Sequence, residues 1–475
     1  MQHKLKNLPY YPWLVFCVTA TGTFMATLDS SIVNVALPVV ANNLGADLPL
    51  VQWVVSAYLL TISSLLPLFG RSGDMFGRKL VYNTGFLVFT VGSVLCGLSS
   101  NIWLLVGARI FQALGAAMLM ANSPAIVSVA FPGKERGRAL GLIGTVVALG
   151  SMTGPGLGGL LVGVFGWQAI FYVNIPIGIV AYMLGQLILP KEKPNQQETF
   201  DFGGATLFSI SMLSLLLVVS HGQEWGWESK TVIAGGATGL AALVAFVRYE
   251  TTVKQPMIDL TLFRNWPLLA GNLSGLLTFM ALFSNIILLP FYLHSVLALT
   301  PTQIGLLITP FPLIMAVVAP VSGYLSERTS PVVLTTGGLG IMAGGLLYLA
   351  NLGEQVGLWQ VALGQAIMGL GNGMFQSPNN NSILSSVHPT KLGLVSGINA
   401  LVRNVGMVTG IAVAVSVFEN RLYNALIGIT APTAGQQTAA FLTAYHSALV
   451  VGACFAFIGA IISLNRKGHA KLQNG

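Results

Sequence analysis

Asp29 and Arg109 stand out because each is an ionisable residue set well inside a long apolar stretch, whereas the remaining thirteen of the fourteen acids fall in or beside polar connectors. Counted at about 1.5 Å per residue from the ends of their stretches near Pro38 and Asn101, both side chains sit about 12 Å deep and can face each other. A charge at such depth in lipid costs at least about 2.5 kcal/mol on insertion scales, so each needs compensation. A carboxyl group that is neutral when shielded and ionised beside a cation or water is a proton carrier. The other reading of the pair is a static structural ion pair.

Arg403 is a second cation deep in an apolar stretch, and no acid lies at its depth in the second half of the chain. It can bind an anionic group of a small molecule, or be held for packing by Asn404, Asn399 and helix carbonyls. Polar or aromatic residues within the stretches, namely Asn34, Tyr58, Gln112, Asn272, Asn285, Tyr292, Gln365 and Asn372, are candidates with Arg403 for the lining of a substrate cavity. Such a cavity binds mainly through aromatic and aliphatic walls with a few polar anchors. His294 and His446 lie near the ends of stretches, where an imidazole reaches water. Cys17, Cys96 and Cys454 lie in apolar segments at no metal-site spacing, so buried free thiols and no metal are expected. There is no nucleophile with a base and no phosphate-cradling loop beside a strand, which argues against an enzyme.

The elements that must position these residues follow from composition. Of 475 residues 54% are apolar and 8% charged, a balance that leaves a soluble protein with an uncovered apolar surface. Apolar runs long enough to cross a bilayer recur over 13–37, 50–69, 80–99, 102–130, 138–164, 168–189, 203–221, 231–248, 268–293, 303–325, 332–351, 358–384, 395–418 and 441–463. Helices are expected, since each satisfies its own backbone polar groups without water. The first run carries Asp29 and Asn34 and lacks a small-residue cleavage site, so it reads as a retained helix rather than a signal peptide. An even count of spans puts both termini on one side. Of the 22 lysines and arginines only Lys230 and Arg421 fall opposite, with Arg109 and Arg403 inside spans, so the terminus side is expected to be cytoplasmic. The net charge of +8 is scattered through connectors and makes no nucleic-acid stripe.

The chain also repeats itself. Gly137, Gly141, Gly150, Thr153 and Gly154 recur as Gly393, Gly397, Gly406, Thr409 and Gly410 at one constant displacement. Ser123-Pro124 answers to Ser377-Pro378, and Gly70 with Asp74 to Gly323 with Glu327, at nearly the same offset. Two six-helix halves, with the seventh and eighth helices inserted between them, are therefore expected over residues 1–200, 201–260 and 261–475. A parallel repeat of this kind suits two halves that rock around a central cavity. In the fifth helix Gly141, Gly144, Gly150, Gly154, Gly156, Gly158 and Gly159 leave little side-chain bulk, so backbones can approach closely, and Pro155 adds a kink.

Taken together these residues resemble the major facilitator superfamily, and within it the fourteen-helix drug:proton antiporter branch. The run from Gly70 to Lys79 (GRSGDMFGRK) is similar to the superfamily's loop between helices two and three. The stretch from Leu105 to Ala117, with Arg109, Gln112 and Gly115, is similar to its helix-four motif. Gly141, Gly150, Gly154-Pro155 and Gly158-Gly159 match the antiporter motif of helix five, and the runs Leu28–Pro38 and Trp167–Gly178 resemble signatures of the branch. The likeness covers the whole chain and is densest before residue 190.

The resemblance implies an all-α integral membrane protein with the major facilitator fold and fourteen transmembrane helices, multi-pass in the plasma or inner membrane. It implies a multidrug efflux activity: proton-coupled antiport of amphipathic small molecules by alternating access, with no cofactor beyond the proton gradient. The alternatives are export or flipping of a lipid or metabolite, and a non-transporting sensor. Asp29 would be the protonation site and Arg109 its coupling partner. Gly70, Asp74, Gly77 and Arg78 would form a conformational latch on the cytoplasmic side. The partners expected are the small-molecule substrate, protons and the bilayer, with no nucleic acid, and the chain is expected to act as a monomer. Gln168 stands where the branch usually has an arginine. Members that export divalent cations carry further membrane acids, and the second half shows none, which argues against dications.

Overall fold

Several helices begin where the sequence supplies a side-chain cap for the orphan backbone donors of a first turn. Asn101 Oδ1 accepts from Leu104 N at 2.9 Å and Asp201 Oδ1 from Gly204 N at 2.8 Å. Thr300 with Gln303 and Thr433 with Gln436 form capping boxes. The structure, a computed structural model, describes residues 10–131, 135–190, 201–253, 260–387, 392–427, 429 and 432–466. The side chain of Asp74 and the surroundings of Gly141, two of the sites expected from sequence, lie outside the described residues.

Fourteen long helices, joined by a few short helical turns, make up most of the described chain. They are α1 (Tyr11–Leu44), α2 (Trp53–Phe76), α3 (Arg78–Gly97), α4 (Ile102–Ala130), α5 (Glu135–Phe165), α6 (Asn174–Ile188), α7 (Phe202–Trp225), α8 (Lys230–Glu250), α9 (Trp266–Ser295), α10 (Pro310–Arg328), α11 (Pro331–Ala350), α12 (Leu358–Ser385), α13 (Leu392–Leu426) and α14 (Ala434–Leu464). Each falls on one of the apolar runs. The second, sixth and tenth runs differ in being broken, with the short helices Leu48–Val51, Ala169–Tyr172 and Pro301–Ile308 ahead of α2, α6 and α10. Pro310 lacks a backbone donor, which accounts for the break ahead of α10. Twelve units are long and apolar enough to cross a membrane. The other two are α5, charged at its start and glycine-rich beyond, and α12, which carries Gln365, Asn372, Gln376, Asn379, Asn380 and Asn381. No strand occurs among the described residues.

The two halves repeat one packing pattern. α1 packs on α5 as α9 packs on α13, α3 on α4 as α11 on α12, α2 on α4 as α10 on α12, and α3 on α6 as α11 on α14. The repeated glycines make the first of these contacts. A Cβ on Gly154 would lie 2.8 Å from Ile32 N of α1, and one on its counterpart Gly410 would lie 2.6 Å from Met280 O of α9. Between halves, α2 meets α13, while α5 meets α10 and the short helix Pro301–Ile308. α7 and α8 pair with each other, and α7 leans on α2 and α13.

One end of the bundle holds the start of α1 and the end of α14. There Tyr11 Oη donates to Ile188 O at 2.9 Å, and the Arg466 guanidinium donates to Ala270 O at 3.0 Å and to Asn379 Oδ1 at 2.8 Å. Burial pushes Arg466 down to about 10. At the opposite end Asn42 of α1 meets His294 Nε2 of α9 at 3.1 Å, and His446 Nδ1 lies 3.3 Å from Ala350 O. The three cysteines are free, but only Cys96 is buried; Cys17 and Cys454 lie on the exposed outer surface, because apolar segments here have a lipid-facing side as well as a packed one.

Candidate functional site

Asp29 and Arg109 meet, as their equal depth suggested. α1 and α4 run in opposite directions within the first half, and both side chains are 0% exposed. Arg109 Nη1 forms an ion pair with Asp29 Oδ2. Gln112 Nε2 donates to Asp29 Oδ1 at 2.9 Å, and Asn174 Nδ2 donates to the same oxygen at 3.0 Å. Arg109 Nε donates to Val54 O at 2.9 Å, and its Nη1 donates to Gln112 Oε1 at 2.6 Å. Gln112 further donates to Ser93 Oγ at 2.9 Å. Four helices and the head of a fifth thus close on one carboxylate. A buried ion pair offsets its desolvation only when its remaining polar atoms are satisfied in this way. Arg109 Nη2 is the one atom of the pair without a partner among the described residues.

Two of these partners change what the sequence suggested. Gln112, expected in the substrate cavity, is 0% exposed and belongs to the carboxylate's shell. Its position one helical turn beyond Arg109 gives it the same face. Asn174, which the sequence shows only within the Trp167–Gly178 run, heads α6 just after the short helix Ala169–Tyr172, and its amide reaches Asp29.

Beside this sealed site runs a cleft between the halves. Asn34, Tyr58, Asn285, Gln365, Asn372 and Arg403 line it, between aromatic and sulfur-bearing walls such as Phe279, Phe283, Phe311 and Met315. Asn272 and Tyr292 do not. Asn272 donates back to Leu268 O at 2.9 Å, and Tyr292 donates to Gly353 O at 2.7 Å while stacking on Tyr445. Their helix α9 presents Asn285 to the cleft and turns those two elsewhere, a facing that residue type alone does not disclose. Toward the end that holds Tyr11 and Leu464 the cleft widens into a mouth lined by Ser123, Pro124, Ser377, Asn381 and Ser396.

The opposite end is shut by α5 against the helix Pro301–Ile308. A Cβ on Gly159 would lie 2.6 Å from Pro301 O, and one on Gly305 would lie 2.7 Å from Pro155 O. Thr302 Oγ1 donates to Gly159 O at 3.3 Å. α5 is therefore small on two faces: Gly150, Gly154 and Gly158 lie against α1 beside Asp29, and Gly159 lies against the second half.

The architecture, two matched six-helix units around a cleft with a buried acid in the first, has a counterpart among known proteins. The model of the Major Facilitator Superfamily matches residues 19–411. The chain belongs to the major facilitator superfamily. It is thus a multi-pass membrane transporter of that superfamily. It is 37% identical over 454 residues to the riboflavin transporter RibZ of Clostridioides difficile, covering 95% of this chain and 97% of that one. It is 35% identical over 405 residues to the multidrug resistance protein Stp of Mycobacterium tuberculosis, covering 85% and 75%. To the multidrug transporter protein MdtP of Bacillus subtilis it is 29% identical, covering 85% and 74%. The fold matches that of a bacterial homologue of the human lysosomal transporter Spinster in an inward-facing, occupied conformation. That match has a TM-score of 0.66, 14% sequence identity, and coverage of 96% of this chain and 97% of that one.

Within the superfamily frame, the loop between α2 and α3 contains Gly77 at φ 95°, a conformation L side chains rarely adopt, which accounts for glycine there. Gly73, not singled out from sequence, has no room for a Cβ against Asn122. Gly70 has room, its Cβ meeting only Ala121 at 3.9 Å. Arg78 opens α3 and is half-buried.

Proposed function

We propose that this transporter is a proton-coupled antiporter that exports amphipathic small molecules by alternating access across the cell membrane. Its fourteen helices all cross the bilayer, with both termini cytoplasmic, and residues 1–200 and 261–475 are the rocking halves. The form described is then open to the cytoplasm, since its mouth lies at the end of the termini. Cargo enters from there or from the inner leaflet. The halves rock, the contact of Gly159 with Gly305 parts, and the mouth closes. A proton from outside then reaches Asp29.

The observation that carries this reading is the relation between the sealed pair and the cleft. Neutralising Asp29 leaves Arg109 uncompensated in a dry site. Breaking a buried pair in this way costs about 3–5 kcal/mol. That approaches the roughly 5.5 kcal/mol that turns a 1:99 mixture of two conformations into 99:1. Tyr58 transmits the change, because its ring covers the Arg109 guanidinium at 4.0 Å and also lines the cleft. Cargo and proton thus compete without sharing an atom.

A second reading keeps the cycle and narrows the cargo to a flavin-like metabolite. The relative named a riboflavin transporter matches nearly the whole chain at 37% identity, whereas those named for multidrug resistance match less of it. Purified protein in vesicles with an imposed pH gradient decides between them. Uphill movement of several unrelated amphiphilic drugs supports the first reading, and movement of riboflavin alone the second. No movement of any compound beyond that of protein-free vesicles refutes both.

A further inference from the structure

The described lining of the cleft and its mouth contains one charged side chain, Arg403, and no aspartate or glutamate. Arg403 projects from α13 where the inner cleft joins the mouth, half-buried, and makes no ion pair or hydrogen bond with any described residue. The first half's acid is no counter-charge for it, being sealed on Arg109. At the equivalent position of the repeat stands Val147, which lines the same two spaces. The cleft is therefore cationic on one wall and apolar on the other.

Further polar atoms await partners along the lining. Asn285 Oδ1, Asn372 Oδ1, Gln365 Nε2 and Asn404 Nδ2 are buried without a hydrogen bond to any described residue. Such atoms are costly to leave unpaired, so a cargo that satisfies them gains what an apolar one does not. Phe279, Phe283 and Phe311 supply flat apolar surface between them.

We propose that Arg403 is the seat of an anionic group on the cargo, so that this cleft takes flat amphiphiles bearing a carboxylate, sulfonate or phosphate and discriminates against organic cations. The inference names a substrate class within the function proposed above, but it concerns binding and stands apart from proton drive. A guanidinium freed from internal partners offers a planar two-pronged donor to such a group, in a site of low dielectric where a charge-assisted hydrogen bond is strong. A cationic cargo would instead meet a like charge with no carboxylate to offset it.

The test uses three probes of one ring system: anthracene carboxylate, anthracene carboxamide and anthracenylmethylammonium. Their affinities for the purified full-length protein are read by fluorescence with no gradient present. We expect the carboxylate to bind at least about tenfold tighter than the amide, the equivalent of one charge-assisted hydrogen bond, and the ammonium to bind weakest. Arg403→Gln should bring carboxylate and amide to within about twofold, while Arg403→Lys, which keeps the charge without the fork, retains part of the preference. An ammonium probe that binds as tightly as the carboxylate overturns the proposal. So does an unchanged ranking in Arg403→Gln. Should that variant fail to fold, the ranking in the unmodified protein and in Arg403→Lys still decides. If the ranking holds while a pH gradient moves nothing, the proton-exchange reading fails and this one stands.

Discussion

The Tyr58 ring lies 4.0 Å from the guanidinium carbon of Arg109, and its hydroxyl donates to Ala26 O at 3.1 Å, so one aromatic ring separates the buried charge from the cleft. A ring in that position contributes about 2 kcal/mol when the cation is desolvated, whereas the hydroxyl contributes about 1 kcal/mol. Tyr58→Phe should therefore keep proton-driven transport near the unmodified rate, with a small loss of thermal stability. Tyr58→Ala removes the ring from both sides and should uncouple, leaving cargo binding weakened and a pH gradient without effect. Transport in vesicles alongside thermal melting measures both. Equal, strong coupling in Tyr58→Ala would remove Tyr58 from the mechanism.

Asp29→Asn keeps the shape of the side chain and an acceptor for Gln112 and Asn174 but strips Arg109 of its counter-charge. The variant should lose pH-gradient-driven transport while still exchanging labelled cargo across the membrane. Its melting temperature should fall, in line with about 3–5 kcal/mol for a broken buried pair. Adding Arg109→Gln to it should recover part of that stability, since the charge left unpaired is gone, without recovering the drive. Drive that persists in Asp29→Asn would move the proton site elsewhere.

Much of this was legible in the sequence because lipid makes strict demands on it. Every apolar run became a helix, and the displaced glycines Gly154 and Gly410 pack their halves alike. The depth argument brought Asp29 to Arg109 because both lie on continuous helices of known rise. What escaped was facing. Gln112, Asn272 and Tyr292 are polar or aromatic residues within spans, as Asn34 and Asn285 are, yet they turn away from the cleft. Periodicity separates packed from unpacked faces only when one is polar, and in lipid both are apolar. Asn174 escaped for another reason: it stands at the join of two helices, where Pro176 cannot donate to Tyr172 O, and nothing in the polar spacing shows that this join packs beside Asp29. Arg466 read as one more basic residue of the terminus side, whereas it is buried between α9 and α12.

Arg466 is accordingly a structural tie. Arg466→Ala should lower the melting temperature, because Asn379 Oδ1 and Ala270 O lose a charged donor in a buried site, a loss of about 1.5–3 kcal/mol. Burial lowers its folded pKa only to about 10, below the unfolded value, so proton release from the folded state begins only near that pH. Stability linked to this group thus rises with pH only above about 10, where the unfolded chain holds more protons. The drop in melting temperature should be the same at about pH 6 and about pH 8. A drop that differs between them would assign the effect to another group.

The contact that shuts the end opposite the mouth can be locked. A Cβ on Gly163 would lie 3.6 Å from Thr302 Cβ, inside the span of about 3.5–4.5 Å over which a disulfide bridges two Cβ atoms. Neither residue supports the Asp29 site, and the native thiols Cys17, Cys96 and Cys454 are elsewhere. Gly163→Cys with Thr302→Cys should form a bond under mild oxidant that stops transport completely, because the halves can no longer part at that end. Cargo binding from the mouth should survive, since the inner cleft stays open to it. A reductant should restore transport, which separates locking from damage to the fold. Mass spectrometry under non-reducing conditions reports the bond and vesicle transport its consequence. Full transport with the bond in place would mean that this end does not open in the cycle, and alternating access about this contact would fall.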